Sequence, residues 1–296
     1  MKYIELKVNL PKDYAESFTE FLDILEVEGY YEILFDSSLP KPVGQILRDD
    51  TNIKVYLGEL DLEKEIKINI FLKTLSIENI YIESRPIETK DYEEAYKEFY
   101  KPFQIGKDFW IVPVWEKETY PIGENKILYM NPGFAFGTGH HETTKLMLSR
   151  MQELDLVNSQ ILDLGTGSGI LSIGAASLGA QKIVAIDIDS NAVRATEFNW
   201  TQNTFPQKID FQVLQGSFDH ADIFPSEYDL VLANITFAVI SMNIEYLKNL
   251  KAKKFLFSGL IIEKKEDSLN LFETHLGGKL NYFEQFNDWI LIEWIR

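Results

Sequence analysis

The chain contains no cysteine. That excludes a disulfide scaffold, a cysteine-ligated zinc site and a thiolate nucleophile. Long apolar runs are also missing. The most apolar stretches, residues 170–180 and 230–242, fall short of the roughly 18 residues a membrane span needs. Residues 1–10 alternate polar and apolar side chains and include Glu5, with no basic segment leading into an apolar core, so no signal peptide is expected. Positive charge is scarce: 29 Lys and Arg stand against 46 Asp and Glu, a formal net charge of −17. Such a surface repels phosphate backbones, so direct nucleic-acid binding is not expected, whereas a basic protein partner is compatible with it. What is present is ordinary for a globular protein, with 45% hydrophobic and 25% charged residues. A length of 296 residues allows two domains. A soluble, cytoplasmic protein is expected, and nothing demands more than a monomer.

The first 85 residues read as a small α/β unit. Residues 3–8 alternate with period 2, as a half-buried strand should. Phe18, Phe21, Leu22 and Leu25 then fall at helical spacing and Gly29 stops the helix. Residues 30–35 and 53–57 read as strands around the turn-rich 37–44. Asp61 is placed to cap a helix carrying Ile66, Ile70, Leu72 and Leu75, and residues 80–83 read as a last strand. The order βαββαβ is that of a ferredoxin-like α+β domain. Residues 86–125 form a connector. In it, residues 91–100 suit a charged amphipathic helix ended by Pro102, and residues 109–115 an aromatic strand. From about residue 126 to 296 the pattern is a longer α/β alternation. It comprises a short strand at 127–130, a helix at 143–154, and apolar strands at 161–164, 182–186, 209–214, 228–233 and 254–257. The segments between the first four of these are long enough for helices. Such β-branched runs suit strands buried on both faces of a mostly parallel, Rossmann-like sheet. Asn287-Asp288, between two terminal strands, signals an antiparallel hairpin.

Chemistry concentrates in the second half. Residues 161–171, Ile-Leu-Asp-Leu-Gly-Thr-Gly-Ser-Gly-Ile-Leu, run from a strand through a glycine-rich turn into a helix. Glycines there let a ligand approach the backbone, and the helix start offers N–H groups. Gly165 and Gly167 fit the first two positions of a dinucleotide fingerprint, but the third falls on Ile170, where glycine is required. Asp187 ends the next strand, 22 residues after Gly165, where a carboxylate can accept both hydroxyl protons of a ribose. Asp189 caps the following helix. Asn234 lies just past the fourth parallel-type strand. Its amide oxygen can accept from an amine and so orient the nitrogen lone pair for in-line displacement. Residues 131–144 set three glycines among Phe134 and Phe136, which suits a lid whose rings exclude water from a bound ligand. His140 and His141 are adjacent and diverge in an extended chain, with no carboxylate cluster to complete four ligands, so no metal is expected.

The glycine loop resembles the nucleoside-binding loop of class I S-adenosylmethionine methyltransferases. Taken with the connector, the 132–144 segment, Asp187 and the triplet Ala233-Asn234-Ile235, essentially the whole chain resembles the PrmA family, which methylates ribosomal protein L-eleven. The resemblance implies a ferredoxin-like substrate-recognition domain at 1–85, a connector at 86–125 and a methyltransferase domain at 126–296. It implies S-adenosylmethionine as cofactor, held by Thr144, Gly165, Gly167, Asp187 and Asn234, with Phe136 of the lid segment among the contacts. It also implies that Asn234 sits catalytically beside the methyl group and the incoming amine, either a lysine or the N-terminal α-amine of ribosomal protein L-eleven. His140 stands where the family has threonine and Glu142 where it has proline, and Tyr92 and Tyr96 replace connector tryptophans. Trp110 and Phe237 are further candidates to line an apolar mouth, and His141 is the candidate for a general base. A class I methyltransferase acting on another protein or on a small-molecule amine, and more distantly an NAD-dependent oxidoreductase, are the alternatives.

Overall fold

The computed structural model describes residues 2–25, 27, 29–33, 50–58, 62–75, 81–88, 100–120, 126–131, 139–224 and 226–296. The 37–44 turn, the Asp61 cap, nearly all of the 91–100 helix and the lid segment 132–138, with Phe134 and Phe136, lie outside these residues. Two compact units divide the chain, Met1–Tyr100 and Lys101–Arg296. Among the described residues no helix is long and apolar enough to cross a membrane.

The first unit runs β1 (Lys2–Pro11), α1 (Ala15–Ile24), β2 (Gly29–Ile33), β3 (Asp50–Gly58), α2 (Leu62–Thr74) and β4 (Tyr81–Glu88). Its strands are ordered β2-β3-β1-β4 and every pair is antiparallel, which is the ferredoxin-like arrangement. Leu6, Val8 and Leu10 alternate onto one face of β1 and bury against Phe18 and Leu22 of α1 and Ile68 and Leu72 of α2. Phe21 stacks on Phe71 across the two helices at 4.1 Å between ring centres. One expectation fails on α2. Ile66 and Ile70 are exposed, while the inward stripe is Ile68 and Leu72, both buried, with Phe71 and Leu75 partly buried beside them. That stripe has the spacing of one helical face and includes Phe71, whose larger apolar area decides which way the helix turns.

The second unit opens with a three-stranded sheet of β5 (Phe103–Ile105), β6 (Phe109–Pro113) and β7 (Lys126–Met130). β5 pairs antiparallel and β7 parallel with β6. Helix α3 (Glu142–Met151) leads into the main sheet. That sheet has seven strands ordered β10-β9-β8-β12-β14-β16-β15. The first five are mutually parallel: β10 (Asp210–Gln215), β9 (Lys182–Asp187), β8 (Gln160–Leu164), β12 (Leu230–Asn234) and β14 (Lys254–Ile261). β16 (Trp289–Ile295) and β15 (Lys279–Phe286) close the sheet as an antiparallel hairpin. Asn287 takes the left-handed conformation at its turn, φ 53°.

α4 (Ile170–Ser177) joins β8 to β9, and α5 (Ser190–Gln202) joins β9 to β10. Between β10 and β12, where a helix was expected, the described residues hold only a single 3-10 turn at Ala221–Ile223. The strand expected over 228–233 is two. β11 (Glu227–Tyr228) pairs with β13 (Lys251–Ala252) and β12 begins at Leu230. The break falls at Asp229, whose carboxylate accepts the Gln160 N–H at 3.0 Å and meets Lys253 Nζ at 2.6 Å. α6 (Phe237–Met242), α7 (Ile244–Asn249) and α8 (Lys265–His275) complete the unit. Its core gathers Leu162, Val184, Val231, Phe255, Phe257, Phe272 and Ile292 from strands and helices alike.

Candidate active site

β8 lies between β9 and β12, and the chain order reverses there: β9 and β10 extend to one side, β12 and β14 to the other. Open parallel sheets bind ligands at such a point, beyond the carboxyl ends of the strands. The register shows which residues meet. Leu164 pairs with Ile186 on one side and with Ala233 on the other. The next residues, Gly165, Asp187 and Asn234, therefore stand in one row across the ends of three adjacent strands. Sequence distances of 22 and 47 residues between them vanish in space.

Gly165 has φ +71°, and a Cβ built on it would lie 2.6 Å from Ile235 Cγ2. Glycine is required there both by conformation and by the closeness of the β12 turn. The loop is held by its own hydrogen bonds. Gly165 and Thr166 donate their N–H groups to the Ile186 carbonyl at 2.9 and 3.1 Å, and Gly169 donates to Thr166 at 2.8 Å. Gly167 donates to Asp187 Oδ2 at 2.9 Å. These internal bonds fix the shape of the turn, and the N–H groups that open α4 at Ile170 follow directly after it.

Beneath the loop Asp163 is fully buried. Its Oδ2 accepts from Thr166 Oγ1 at 2.9 Å and Ser172 Oγ at 2.6 Å. Burial pushes its pKa up to about 6 against the pull of those hydrogen bonds. Asp187 accepts the Asp189 N–H on Oδ1 at 3.0 Å, as well as Gly167 on Oδ2. The carboxylate is thus fixed in orientation before any ligand arrives, and each oxygen retains a lone pair for a hydroxyl. Asp189 does cap α5, accepting the Asn191 N–H at 2.8 Å. Ile188, between the two acids, is 72% exposed. An apolar side chain left open beside the ribose position can cover the face of a base.

Asn234 is half-buried. Its Nδ2 lies 3.5 Å from the hydroxyl of Thr144, itself fully buried on α3. Its Oδ1 is shielded from solvent and has no hydrogen-bond partner among the described residues. A buried acceptor left without a donor is unfavourable in a resting fold, and is accounted for when a ligand brings the donor. Sequence reasoning missed the residues that set this group. Ile235 donates its N–H to the Ser258 carbonyl at 3.0 Å. Gly259, at φ +77°, leaves room for the Ile235 backbone, whose carbonyl oxygen would be 2.7 Å from an added Cβ. The ladder between β14 and β16 slips between Phe257 and Leu260 at this point. A glycine inside an otherwise apolar strand is the signal for such a bulge.

His141 is the N-cap of α3. Its Nδ1 accepts the Thr143 N–H at 3.3 Å and lies 2.8 Å from Thr143 Oγ1. Burial, with Lys145 nearby and against the pull of Glu142, lowers its pKa. The ring also meets Trp289 edge-on at 4.8 Å. A ring so engaged at a helix start is a cap and not a free base. His140 stacks on Phe103 at 4.0 Å.

Together these groups fit a nucleoside cofactor. A pre-oriented carboxylate serves a ribose diol, a glycine turn admits the ligand against the backbone, and an amide oxygen stands ready at the far side of the row. The fold is that of a class I S-adenosylmethionine-dependent methyltransferase.

Over residues 2–296 the sequence matches the family described as ribosomal protein L11 methyltransferase (PrmA), and the chain belongs to that family. A Leptospira interrogans protein named ribosomal protein L11 methyltransferase is 50% identical over 301 residues, covering 100% of this chain and 99% of the relative. A Staphylococcus carnosus protein of the same name is 30% identical over 288 residues, 90% of each chain. Among solved structures, the ribosomal protein L11 methylase of Lactobacillus delbrueckii subsp. bulgaricus aligns with a TM-score of 0.58 at 26% identity, over 66% of this chain and 97% of that one.

Proposed function

We propose that this chain methylates amino groups of ribosomal protein L11, the N-terminal α-amine and lysine side chains, and that Asn234 holds the amine during transfer. The observation that carries the reading is the unpartnered Oδ1 of Asn234, level with Gly165 and Asp187. S-adenosylmethionine, when bound, supplies an electrophilic methyl group on a sulfonium. The chain's own residues do the rest. Asp187 takes the ribose hydroxyls, Gly165 and Gly167 admit the nucleoside, and Thr144 steadies the Asn234 amide. A lysine ammonium has a reference pKa of about 10.4 and must lose a proton before it can attack. Asn234 Oδ1 then accepts an N–H of the neutral amine, which directs the lone pair along the axis of displacement. With the cofactor bound, that alignment would let the nitrogen displace the thioether, which would leave with the electron pair, and the methylated ammonium would then release its proton to solvent.

In this reading residues 1–85 recognise the protein substrate, residues 126–296 carry the chemistry, and Phe136 belongs to the segment that covers the cofactor. The net charge of −17 favours a basic substrate over nucleic acid. The enzyme works in the cytoplasm as a monomer. The test is the intact mass of unmethylated ribosomal protein L11 after incubation with this protein and S-adenosylmethionine. Gains in whole methyl groups are expected, and fragment masses locate them on amines. No gain, with S-adenosylhomocysteine still bound, would move the activity to another amine-bearing substrate.

A prediction on the cofactor side follows from Asp187. Asp187→Ala is expected to weaken S-adenosylhomocysteine binding by about 1–3 kcal/mol, the effect of leaving polar partners unpaired. Isothermal titration calorimetry measures this, and unchanged affinity would remove Asp187 from the site.

A further inference from the structure

Ile235 follows Asn234 at the end of β12, and glycines of the two neighbouring strands meet it. After β8 comes Gly165, φ +71°, where an added Cβ would lie 2.6 Å from Ile235 Cγ2. In β14 is Gly259, φ +77°, where an added Cβ would lie 2.7, 2.8 and 2.8 Å from the carbonyl oxygen, carbonyl carbon and nitrogen of Ile235. Carbon atoms pack no closer than about 3.5 Å, so neither neighbour has room for a side chain of its own beside Ile235. The Ile235 N–H donates to the Ser258 carbonyl at 3.0 Å, which ties its backbone to β14 as well.

The ladder between β8 and β12 ends at the pair Leu164–Ala233. Gly165 and Asn234 lie one residue beyond it, where the ladder no longer sets their spacing. There the Cγ2 branch of Ile235 fills the space against Gly165, while the Ile235 backbone is lodged against Gly259 and carries Asn234 with it. We propose that Ile235 is a positioning residue for methyl transfer. The branch at its Cβ sets the spacing between the turn that admits the nucleoside and the amide that holds the amine. In-line displacement is steep in geometry, and a misplacement of about 1 Å lowers the rate by about 10²-fold. The proposal rests on the reading of Gly165 and Asn234 given above.

The test compares Ile235→Val with Ile235→Leu in the full chain. The first change keeps both branches at Cβ and drops only the terminal methyl. The second keeps the number of carbons but leaves Cβ unbranched. Ile235 is partly buried against the core, and both changes are small in volume, so both variants should fold with Tm lowered by only a few degrees. Catalysis should separate them. The kcat for amine methylation should stay within about threefold of wild type in Ile235→Val and fall about tenfold or more in Ile235→Leu. S-adenosylhomocysteine affinity, read by calorimetry, should change less than about threefold in both. Equal kcat in the two variants would overturn the proposal and leave a packing residue. A fall in Ile235→Leu that only follows lost cofactor affinity would also overturn it, and make Ile235 a wall of the cofactor site. Where the leucine variant does not fold, Ile235→Met, likewise unbranched at Cβ, is held to the same criterion. A wild-type protein that binds S-adenosylhomocysteine but methylates no amine is a different result: it overturns the functional reading itself, and this proposal with it.

Discussion

Asn234→Ala is expected to lower kcat for amine methylation by about 10²-fold, the scale on which misplacing a reacting group acts, while cofactor affinity changes by less than tenfold. The asymmetry follows from the geometry. The Asn234 amide nitrogen lies at the Thr144 hydroxyl, 3.5 Å away, and its oxygen has no partner among the described residues. Removing the side chain therefore breaks little in the resting fold, and on the proposed reading it takes away the acceptor for the incoming amine. An interaction made chiefly with the reacting amine lowers kcat and kcat/KM together, whereas a ground-state contact would raise KM alone. Asn234→Asp discriminates further. It keeps an acceptor but favours the ammonium form of the amine through its charge, and the ammonium has no lone pair. Its pH–rate profile should shift to higher pH. Single-turnover kinetics on ribosomal protein L11 measure both variants, and a change confined to cofactor affinity would make Asn234 a binding residue only.

Much of this site was legible in the sequence because it depends on short-range features. A strand, three alternating glycines and a helix placed Gly165 and Gly167, and acids or amides at strand ends placed Asp187 and Asn234. What the sequence did not disclose depends on tertiary neighbours. Ile66 and Ile70 fit a helical period as well as Ile68 and Leu72 do, and only packing against β1 and β3 separates the two stripes. Thr196, Asn199 and Asn203 look in sequence like the solvated side of α5, because polar residues at helical spacing usually are; the carbonyls that need them belong to other segments. Ser258-Gly259 reads as an interruption of an apolar strand, and its purpose appears only when Ile235 is found against it. His141 was read as a candidate base from its residue type and proves to be a cap, a role its position one residue before α3 could have suggested. The ferredoxin-like order of the first unit was readable because strand and helix periodicities alternate along it, although that fold by itself carries no function.

The largest effect on stability is expected far from the chemistry, at Glu293. This β16 carboxylate is fully buried and collects three donors: Arg150 Nε at 2.7 Å, Asn281 Nδ2 at 2.7 Å and Lys254 Nζ at 3.3 Å. Burial would raise its pKa, but the hydrogen bonds from Arg150 and Asn281 and the charge of Lys254 outweigh that and hold it below the ordinary carboxylate value. A carboxyl group with a depressed folded-state pKa contributes stability above its unfolded pKa and loses it as pH falls through the folded one. Arg150 also lies over the Tyr282 ring at 4.0 Å and reaches Glu153 at 2.9 Å. The cluster thereby ties α3, which carries Thr144, to the terminal hairpin. Glu293→Ala takes the buried acceptor away from Arg150 and Lys254, and breaking a buried pair in this way costs about 3–5 kcal/mol. For a unit of this size the fall in Tm is roughly ten degrees. The paired variant Arg150→Met with Glu293→Met should recover at least half of that loss, because apolar replacement of a whole buried pair is often neutral. Denaturant unfolding at pH 7 compares the three proteins. Equal losses in the single and paired variants would mean that shape, and not charge pairing, holds α3 against the hairpin.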